Sequence, residues 1–521
     1  MIHFIPSWYQ KDTWSEYETS WYMQRERTEF DDTVKQMQLF HRSKAYPYEL
    51  LLLGFTPNLR HFLHRQSVFH APYFSCFDAI MEVYKKSVGV FSYRDLKWPE
   101  GVEFIYSPYV VYAMRKGAPY AKVEFGEDGN MIRIDMYSKG KLSRRNIYDD
   151  RGFVASTILF EEEKPVRQDY LMENGTWKIR QNLETKEVLV NPKCNRYSFV
   201  YQGNIMARPF QKERYESLDD IILEVFSSYL ELLSQEEIFC VAMDKFHLPV
   251  CQKALQGRKY LLSFFENRCN TCENETFREF FRQADFIITD SEENLQLLRQ
   301  KNLIDEKRIV DITPYDSRVD FGISQRTTVQ KILFPVDDIT KQQLEDSLDV
   351  LGTYLKENQR AMVYLFTRKG DYDRKGILLE MVRGYLEKLG YPTEWIEDEE
   401  AEDNSRVRFF VEQCVDELSV SKCMREQRLL VDLSATPQVY LQIMAISVGI
   451  PQVVLSKTQF VEHGKNGFLV KEKADIEEAL HLYLDEMKHW NEAMVCAYEM
   501  GKKYTTGVLL NKWKEVIEIV G

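Results

Sequence analysis

The chain begins with apolar runs that alternate with amphipathic ones. Ile2 to Pro6 reads as a short strand, and Asp31 to Arg42 has the apolar spacing of a helix. Leu50 to Phe55 is a nearly continuous apolar run with Pro57 behind it, as expected of a strand buried on both faces. Asn58 to Gln66 reads helical. From about 96 to 205 the period shortens. Segments such as Met131 to Tyr137 largely alternate apolar and polar residues. Turn clusters at Gly126-Glu127-Asp128-Gly129-Asn130, Ser138-Lys139-Gly140, Asp149-Asp150-Arg151-Gly152 and Glu173-Asn174-Gly175 separate them. This predicts an antiparallel meander with one solvated face. From about 215 the α/β pattern returns. Ser217 is placed to N-cap a long helix, and Ile238 to Met243, Tyr260 to Phe265 and Phe286 to Thr289 read as strands. A second such unit runs from about 330 to 495, with strands expected at Lys331 to Val336, Met362 to Phe366, Glu394 to Trp395, Arg428 to Leu433 and Gln452 to Leu455. Strand–helix alternation predicts parallel sheets covered on both faces. The expected class is α/β: two Rossmann-like, doubly wound domains facing a cleft, with an inserted antiparallel β-sheet domain. The expected boundaries are 1–95 and 211–328 for the first domain, 96–210 for the insertion, 329–496 for the second domain and 497–521 for a C-terminal helix ending at Val520.

Composition narrows the function. At 521 residues the chain exceeds a single core, and 44% hydrophobic with 29% charged residues is globular. Basic residues number 68 and acidic residues 81, a net charge of −13. That argues against nucleic acid as a partner, because such binding runs on Lys and Arg neutralising phosphates. It also argues against whole-surface attraction to anionic lipid, and leaves only a local basic patch for peripheral membrane contact. Nine scattered cysteines suit reduced thiols in the cytoplasm. The start, Met1 to Tyr9, lacks the basic and long apolar regions of a signal peptide. The run Glu49 to Phe55 is too short to cross a bilayer.

Several small motifs invite chemistry. Leu59-Arg60-His61-Phe62-Leu63-His64-Arg65-Gln66 is a basic cluster, expected to form a solvated or partner-facing face; the segment Arg60 to Arg65 is the natural candidate for lipid contact. His61 and His64 share a helix face, without further ligands at metal spacing. Cys269-Asn270-Thr271-Cys272 lacks the second pair that a structural zinc needs, so two ordinary loop thiols are expected. Lys85-Lys86, Lys502-Lys503 and the acidic run Asp398 to Glu402 read as solvated charge.

The most specific string is Ala445-Ile446-Ser447-Val448-Gly449-Ile450-Pro451, followed by Glu462-His463-Gly464-Lys465-Asn466-Gly467-Phe468-Leu469-Val470. A helix stopped by Gly449, a strand after Pro451 and a turn rich in positive-φ residues are expected from the residues alone. The order of the whole string resembles the C-terminal domain of GT-B glycosyltransferases, where it lies beside the nucleotide-sugar donor site. Ala284-Asp285-Phe286-Ile287-Ile288-Thr289-Asp290-Ser291 is a weaker match, in which Ser291 is expected to N-cap the next helix. The chemistry of active members is missing. Where they carry a spaced pair of glutamates, this chain has Thr436 and Met444. After the first strand of the second domain Lys341 is present, but the usual Arg is not, and Asp337 and Asp338 are expected to repel a diphosphate. The loop Pro6-Ser7-Trp8-Tyr9-Gln10 has no glycine to let backbone approach a phosphate. The expectation is a protein that is not an enzyme, with no catalytic, cofactor-binding or metal-binding residues and no cofactor. The alternative is an active GT-B transferase in which Glu462 replaces the lost pair.

Taken in order, Phe4-Ile5-Pro6-Ser7-Trp8-Tyr9, the 59–66 string, the inserted β block, Thr313-Pro314-Tyr315-Asp316-Ser317-Arg318 and the degenerate donor site make the whole chain resemble the accessory Sec system protein 1 family of Gram-positive bacteria. The resemblance implies a GT-B-like fold with an inserted β-sheet domain. It implies a non-catalytic role in the cytoplasm beside sister accessory secretory proteins. It also implies delivery of a glycosylated serine-rich-repeat adhesin to a dedicated motor ATPase and membrane channel.

Overall fold

The structure, a computed structural model, describes all of residues 1–521 except 11, 24–29, 45, 267–276, 302–303, 319, 372 and 398–404, and the side chains of 292 and 293. Cys269, Cys272 and the run Asp398 to Glu402 therefore lie outside the described residues.

The first elements are β1 (Ile2–Ile5), α1 (Asp32–Ser43), β2 (Tyr48–Leu52), α2 (Leu59–Arg65), β3 (Tyr73–Ser75) and α3 (Cys76–Met81). Asp31 caps α1 with a carboxylate that accepts from the amides of Thr33 and Val34. The chain then leaves this sheet and builds β4 (Val102–Tyr106), β5 (Val111–Arg115), β6 (Ala118–Phe125), β7 (Met131–Ser138), β8 (Lys141–Tyr148), β9 (Val154–Glu161), β10 (Lys164–Leu171), β11 (Trp177–Asn182), β12 (Val188–Val190), β13 (Arg196–Tyr201), β14 (Asn204–Pro209) and β15 (Arg214–Tyr215). All four predicted turn clusters fall between consecutive strands of this block. In the third of them Gly152 takes φ +98, a conformation that a side chain would strain.

The chain then returns through α4 (Leu218–Leu230), β16 (Ile238–Ala242), α5 (Leu248–Ala254), β17 (Lys259–Phe264), α6 (Arg278–Gln283), β18 (Phe286–Thr289), α7 (Glu292–Lys301) and β19 (Ile309–Asp311). The second unit is β20 (Gln330–Pro335), α8 (Lys341–Glu357), β21 (Ala361–Thr367), α9 (Arg374–Leu389), β22 (Phe409–Gln413), α10 (Glu417–Glu426), β23 (Leu429–Asp432), α11 (Val439–Val448), β24 (Gln452–Val454), β25 (Gly467–Leu469), α12 (Lys473–Leu484) and α13 (Met487–Gly501). The chain ends in α14 (Thr506–Val520).

Among the described residues the first parallel sheet has the order β19-β18-β17-β16-β1-β2-β3, and the second β22-β21-β20-β23-β24-β25. Strands β4 to β12 with β15 form one antiparallel sheet, and β13 pairs with β14. Successive residues of β1 enter different cores. Ile5 packs with Leu51 and Val241, whereas Phe4 packs with Leu50 and Cys240. Both faces are thus covered, which is why these strands lack polar alternation. The antiparallel sheet is also split. Ile147, Tyr170, Ile179 and Val188 join Phe55, Phe77 and Phe226 in a core shared with the first parallel sheet. Val111, Ala121, Val123 and Ile134 form a smaller core of their own. Helix α14 crosses back to the first sheet, where Trp513 is 1% exposed against Phe4 and Phe40.

Two local expectations need correction. Glu394 and Trp395 lie in a 3-10 turn, Thr393–Trp395, entered from Pro392; the strand in this region is β22, which Ile396 meets only through a bridge to Phe409. Pro392 presets a turn, and the apolar run after it is too short to pair. Ser217 stands at the N-cap of α4, but its hydroxyl makes no cap hydrogen bond. Asp219 and Asp220 favour that first turn electrostatically instead.

Candidate functional site

In an open α/β sheet, ligands bind beyond the carboxyl ends of the strands. Here those ends meet across a cleft that side chains bridge. Phe30, just before α1, packs against Tyr440 of α11 with ring centres 5.0 Å apart. Tyr315 lies 5.0 Å from the same ring, and its hydroxyl donates to the Phe30 carbonyl at 2.6 Å. The Arg368 guanidinium sits 4.3 Å from the centre of the Phe30 ring. Burial lowers its pKa to about 10, so it remains a cation at neutral pH. Lys35 of α1 donates to Glu417 of α10 at 2.6 Å. The Gln459 amide donates to the Asp290 carbonyl at 3.3 Å. The two sheets are joined by packed aromatic rings with polar ties beside them.

The residues beside the expected donor site serve the fold. Asp337 was expected to repel a diphosphate; its carboxylate is instead held from inside. It accepts from the Thr367 hydroxyl at 2.5 Å, the Arg368 amide at 2.7 Å and the Arg374 guanidinium at 3.0 Å. A cation missing from the β20 loop is thus supplied by α9, and already has a partner. Asp432, at the end of β23, is buried beside the start of α11. It accepts from the Ser434 hydroxyl and amide and from the Gln438 amide. Burial raises its pKa, and the Ser434 hydroxyl opposes that rise. An internal carboxylate therefore stands beside the helix N-terminus, a place that otherwise attracts anions. Thr436 is exposed in the loop between them, and Met444 packs half-buried against the core.

The 462–470 string is a turn built for packing. Asn466 is buried, accepts from the Glu462 amide at 2.8 Å and donates to the Phe460 carbonyl at 2.8 Å. The backbone at Gly467 runs so close to Gln452 that a Cβ would stand 2.5 Å from its carbonyl oxygen. The carboxylate of Glu462 pairs with Lys465 at 2.6 Å and Lys503 at 3.9 Å. The hydrogen bond from Lys465 lowers its pKa, so it stays ionised. Ser291 accepts from the Asn294 amide at 3.3 Å, the capping role read from the sequence.

The basic cluster of α2 is not a solvated face. Arg60 is 3% exposed; its Nε is paired with Asp150, and its Nη2 lies 3.5 Å from Asp149. Its backbone amide donates to Asp150 at 2.8 Å. Arg65 pairs with Asp128 at 2.7 Å and Glu18 at 3.1 Å, and His61 with Asp128 at 3.0 Å. His64 stays on the exposed side of the helix. Asp128, Asp149 and Asp150 come from hairpin turns of the inserted sheet, which the fold lays against α2, and Glu18 from the loop between β1 and α1. Arg60 to Arg65 therefore do not present a free cationic patch.

Among the described residues one group has metal-ligating atoms in reach of one another: Glu412, Cys414 and Cys423, all within 4.8 Å. Three donors fall one short of a closed structural zinc site. An open cavity of about 500 Å³ lies beside the cleft, between α2, the loop 16–23, the turn at Glu127 and the start of α10. Sequence reasoning missed this cavity, because its walls come from segments far apart in the chain. Among the described residues, no helix is long and apolar enough to cross a membrane.

Two parallel sheets facing a bridged cleft, with an antiparallel insertion in the first, define a protein of the GT-B glycosyltransferase fold. The pneumococcal O-GlcNAc transferase GtfA, solved in complex with UDP and GlcNAc, superposes with a TM-score of 0.69 at 13% identity, over 100% of this chain and 98% of that one. TarM superposes at 0.61 and 14%, over 99% and 98%. Within that fold, the chain belongs to the accessory Sec system protein 1 family, which it matches over residues 1–519. The family protein of Streptococcus gordonii is 32% identical over 99% of this chain and 98% of its own length. That of Staphylococcus aureus is 27% identical, over 99% of both. A crystal structure of accessory secretory proteins 1, 2 and 3 of Streptococcus pneumoniae contains a chain with a TM-score of 0.80 and 30% identity, over 100% of this chain and 99% of that one.

Proposed function

We propose that this chain is a non-catalytic component of the accessory Sec export pathway. It acts in the cytoplasm, in a complex with sister accessory secretory proteins. That complex delivers a glycosylated serine-rich-repeat adhesin to the dedicated motor ATPase and channel. The observation that carries the reading is the bridged cleft: a GT-B scaffold kept over the full chain, with Phe30, Tyr315 and Tyr440 packed across it. Thr436 and Met444 at the positions of the lost glutamates support it, as does Asp432 beside the helix where an anion would dock. Full-length similarity to a chain solved with accessory secretory proteins 2 and 3 supports the sister proteins as partners. Any peripheral contact with anionic membrane has to use a surface other than Arg60 to Arg65, whose charges are paired.

The test is affinity purification from the native cytoplasm, followed by calorimetry with UDP-GlcNAc on the purified chain. Stable recovery of the sister proteins and no saturable heat are expected. Tight UDP-GlcNAc binding, or sugar transfer to the adhesin by this chain alone, would overturn the non-catalytic assignment.

A further inference from the structure

Strand β22 ends on an alternation that puts Phe410, Glu412 and Cys414 on one face, because residues two apart in a strand point the same way. Phe410 stacks on Tyr364 of β21 with ring centres 4.9 Å apart. The Cys414 amide donates to the Thr367 carbonyl at 2.9 Å, which carries the pairing with β21 just past the end of β22. Two residues later Asp416 caps α10, accepting from the Ser419 amide at 2.8 Å. The cap fixes where the helix starts relative to the strand, and the helix brings Cys423 back to Glu412 and Cys414. One donor atom of each, two sulfurs and a carboxylate oxygen, lie within 4.8 Å of one another. Tetrahedral zinc at about 2.3 Å from each of two sulfurs sets them about 3.8 Å apart, so the three donors need to close by about 1 Å or less.

The surroundings favour a bound cation. Cys414 is buried, and Glu412 and Cys423 are half-buried. Glu412 makes no ion pair or hydrogen bond among the described residues. Lys331 and Lys375, whose charges reach it, are already paired with Glu426 and Glu397. Gln427, 1% exposed, turns its amide onto the cluster. Its Nε2 donates to the Cys423 carbonyl at 3.0 Å and lies 3.6 Å from the Cys423 sulfur. Hydrogen bonds of this kind orient and tune a ligating sulfur. The Gln427 Oε1 is buried with no donor, which is costly for an acceptor unless a ligand, such as a metal-bound water, donates to it.

The donor set selects the metal. Magnesium and calcium take oxygen ligands, and an iron–sulfur cluster takes four cysteines. Two thiolates with one carboxylate suit Zn²⁺, which accepts both sulfur and oxygen and keeps a fourth position for water when the protein supplies three ligands. The other use of such a thiol, as a nucleophile, needs a lowered pKa. Here the hydrogen bond with Cys414, and then burial, push the Cys423 thiol up.

We propose that Glu412, Cys414 and Cys423 bind a zinc ion that pins α10 to the end of β22. Glu417 of the same helix accepts from Lys35 across the cleft, so the ion also steadies one of the ties between the two sheets.

The probes are Zn²⁺ and Co²⁺ alone, added to the reduced full-length chain after treatment with a chelator. One equivalent of Zn²⁺ is expected to saturate against a competing chelator and to raise the thermal midpoint, while Mg²⁺ does neither. Co²⁺ should give the absorption of thiolate-to-cobalt charge transfer. Gln427→Leu should keep that absorption and weaken zinc binding about tenfold, as loss of a group that orients a ligand does. Cys423→Ser and Glu412→Gln remove ligands and should each weaken binding further, and Cys423→Ser should also reduce the absorption. If Cys423→Ser fails to fold, Glu412→Gln, on a half-buried side chain, carries the test. Cys269→Ser with Cys272→Ser controls for the Cys-x-x-Cys motif and should change nothing. No saturable zinc binding overturns the proposal. So does a cobalt signal that follows Cys269 and Cys272, and so does a disulfide between Cys414 and Cys423 in protein purified without air.

Discussion

Arg60 shows how far a residue's surroundings can reverse its apparent role. In the sequence it opens a basic string on a helix; in the fold it is buried between Asp149 and Asp150. Nothing local announces this, because the two acids lie in a turn ninety positions away. Replacing Arg60 with Met leaves Asp150 buried without its cation and should cost about 3–5 kcal/mol, read as a lower urea midpoint. Lys502→Ala, on an exposed pair with Glu499, should not move that midpoint measurably. The neighbouring Asp78 adds a pH dependence. Burial pushes its carboxyl up, but the charge of Arg151 and hydrogen bonds at 2.7 and 3.0 Å outweigh that and hold it below its ordinary value. A folded-state pKa below the unfolded one stabilises the protein above the unfolded value, about pH 4, and that stabilisation is lost as pH falls through the folded value. Unfolding midpoints measured down the acid side should therefore fall more steeply for the wild type than for Asp78→Asn. Parallel slopes would refute the assignment.

At the scale of elements, the buried strands were the legible part. Runs such as Leu50 to Leu53 and Ile238 to Met243 are apolar because both faces of their sheet are covered. The turn at 462–467 was legible for the same kind of reason, since glycine and asparagine mark tight backbone. The partner of the last helix was not. Leu509, Trp513 and Val516 of α14 spell an amphipathic face without saying which sheet it covers. The fold seats that face on the first sheet. Trp513→Ala should cost about 3–5 kcal/mol, the range for truncating a buried Trp. Removing 506–521 should expose the apolar face of α1 and β1 and produce strong binding of a hydrophobic dye in an otherwise folded chain. Weak dye binding after truncation would mean that another surface covers it.

At the scale of the molecule, the lost glutamates were visible in the sequence and the packed cleft was not. Phe30, Tyr315 and Tyr440 are remote in the chain, and only the meeting of two sheets brings them together. This separates two grounds for the proposed lack of catalysis. If missing carboxylates were the sole cause, Thr436→Glu with Met444→Glu would recover affinity for UDP-GlcNAc. With the aromatic bridge in place and Asp432 beside α11, calorimetry on the double variant should still record no saturable heat. The path of the chain also has a consequence for biosynthesis. Strand β1 pairs with β2 on one side and on the other with β16, 234 positions downstream between the His3 and Glu237 side chains, and Trp513 of α14 packs on its Phe4. Pairings of such high sequence separation form late. Until β16 and α14 have left the ribosome, β1 has β2 beside it and its face toward Trp513 uncovered. Arrested nascent chains should show β1 cleaved by protease when they stop before α14 and protected once residues 506–520 have emerged; protection at the shorter lengths would refute this order.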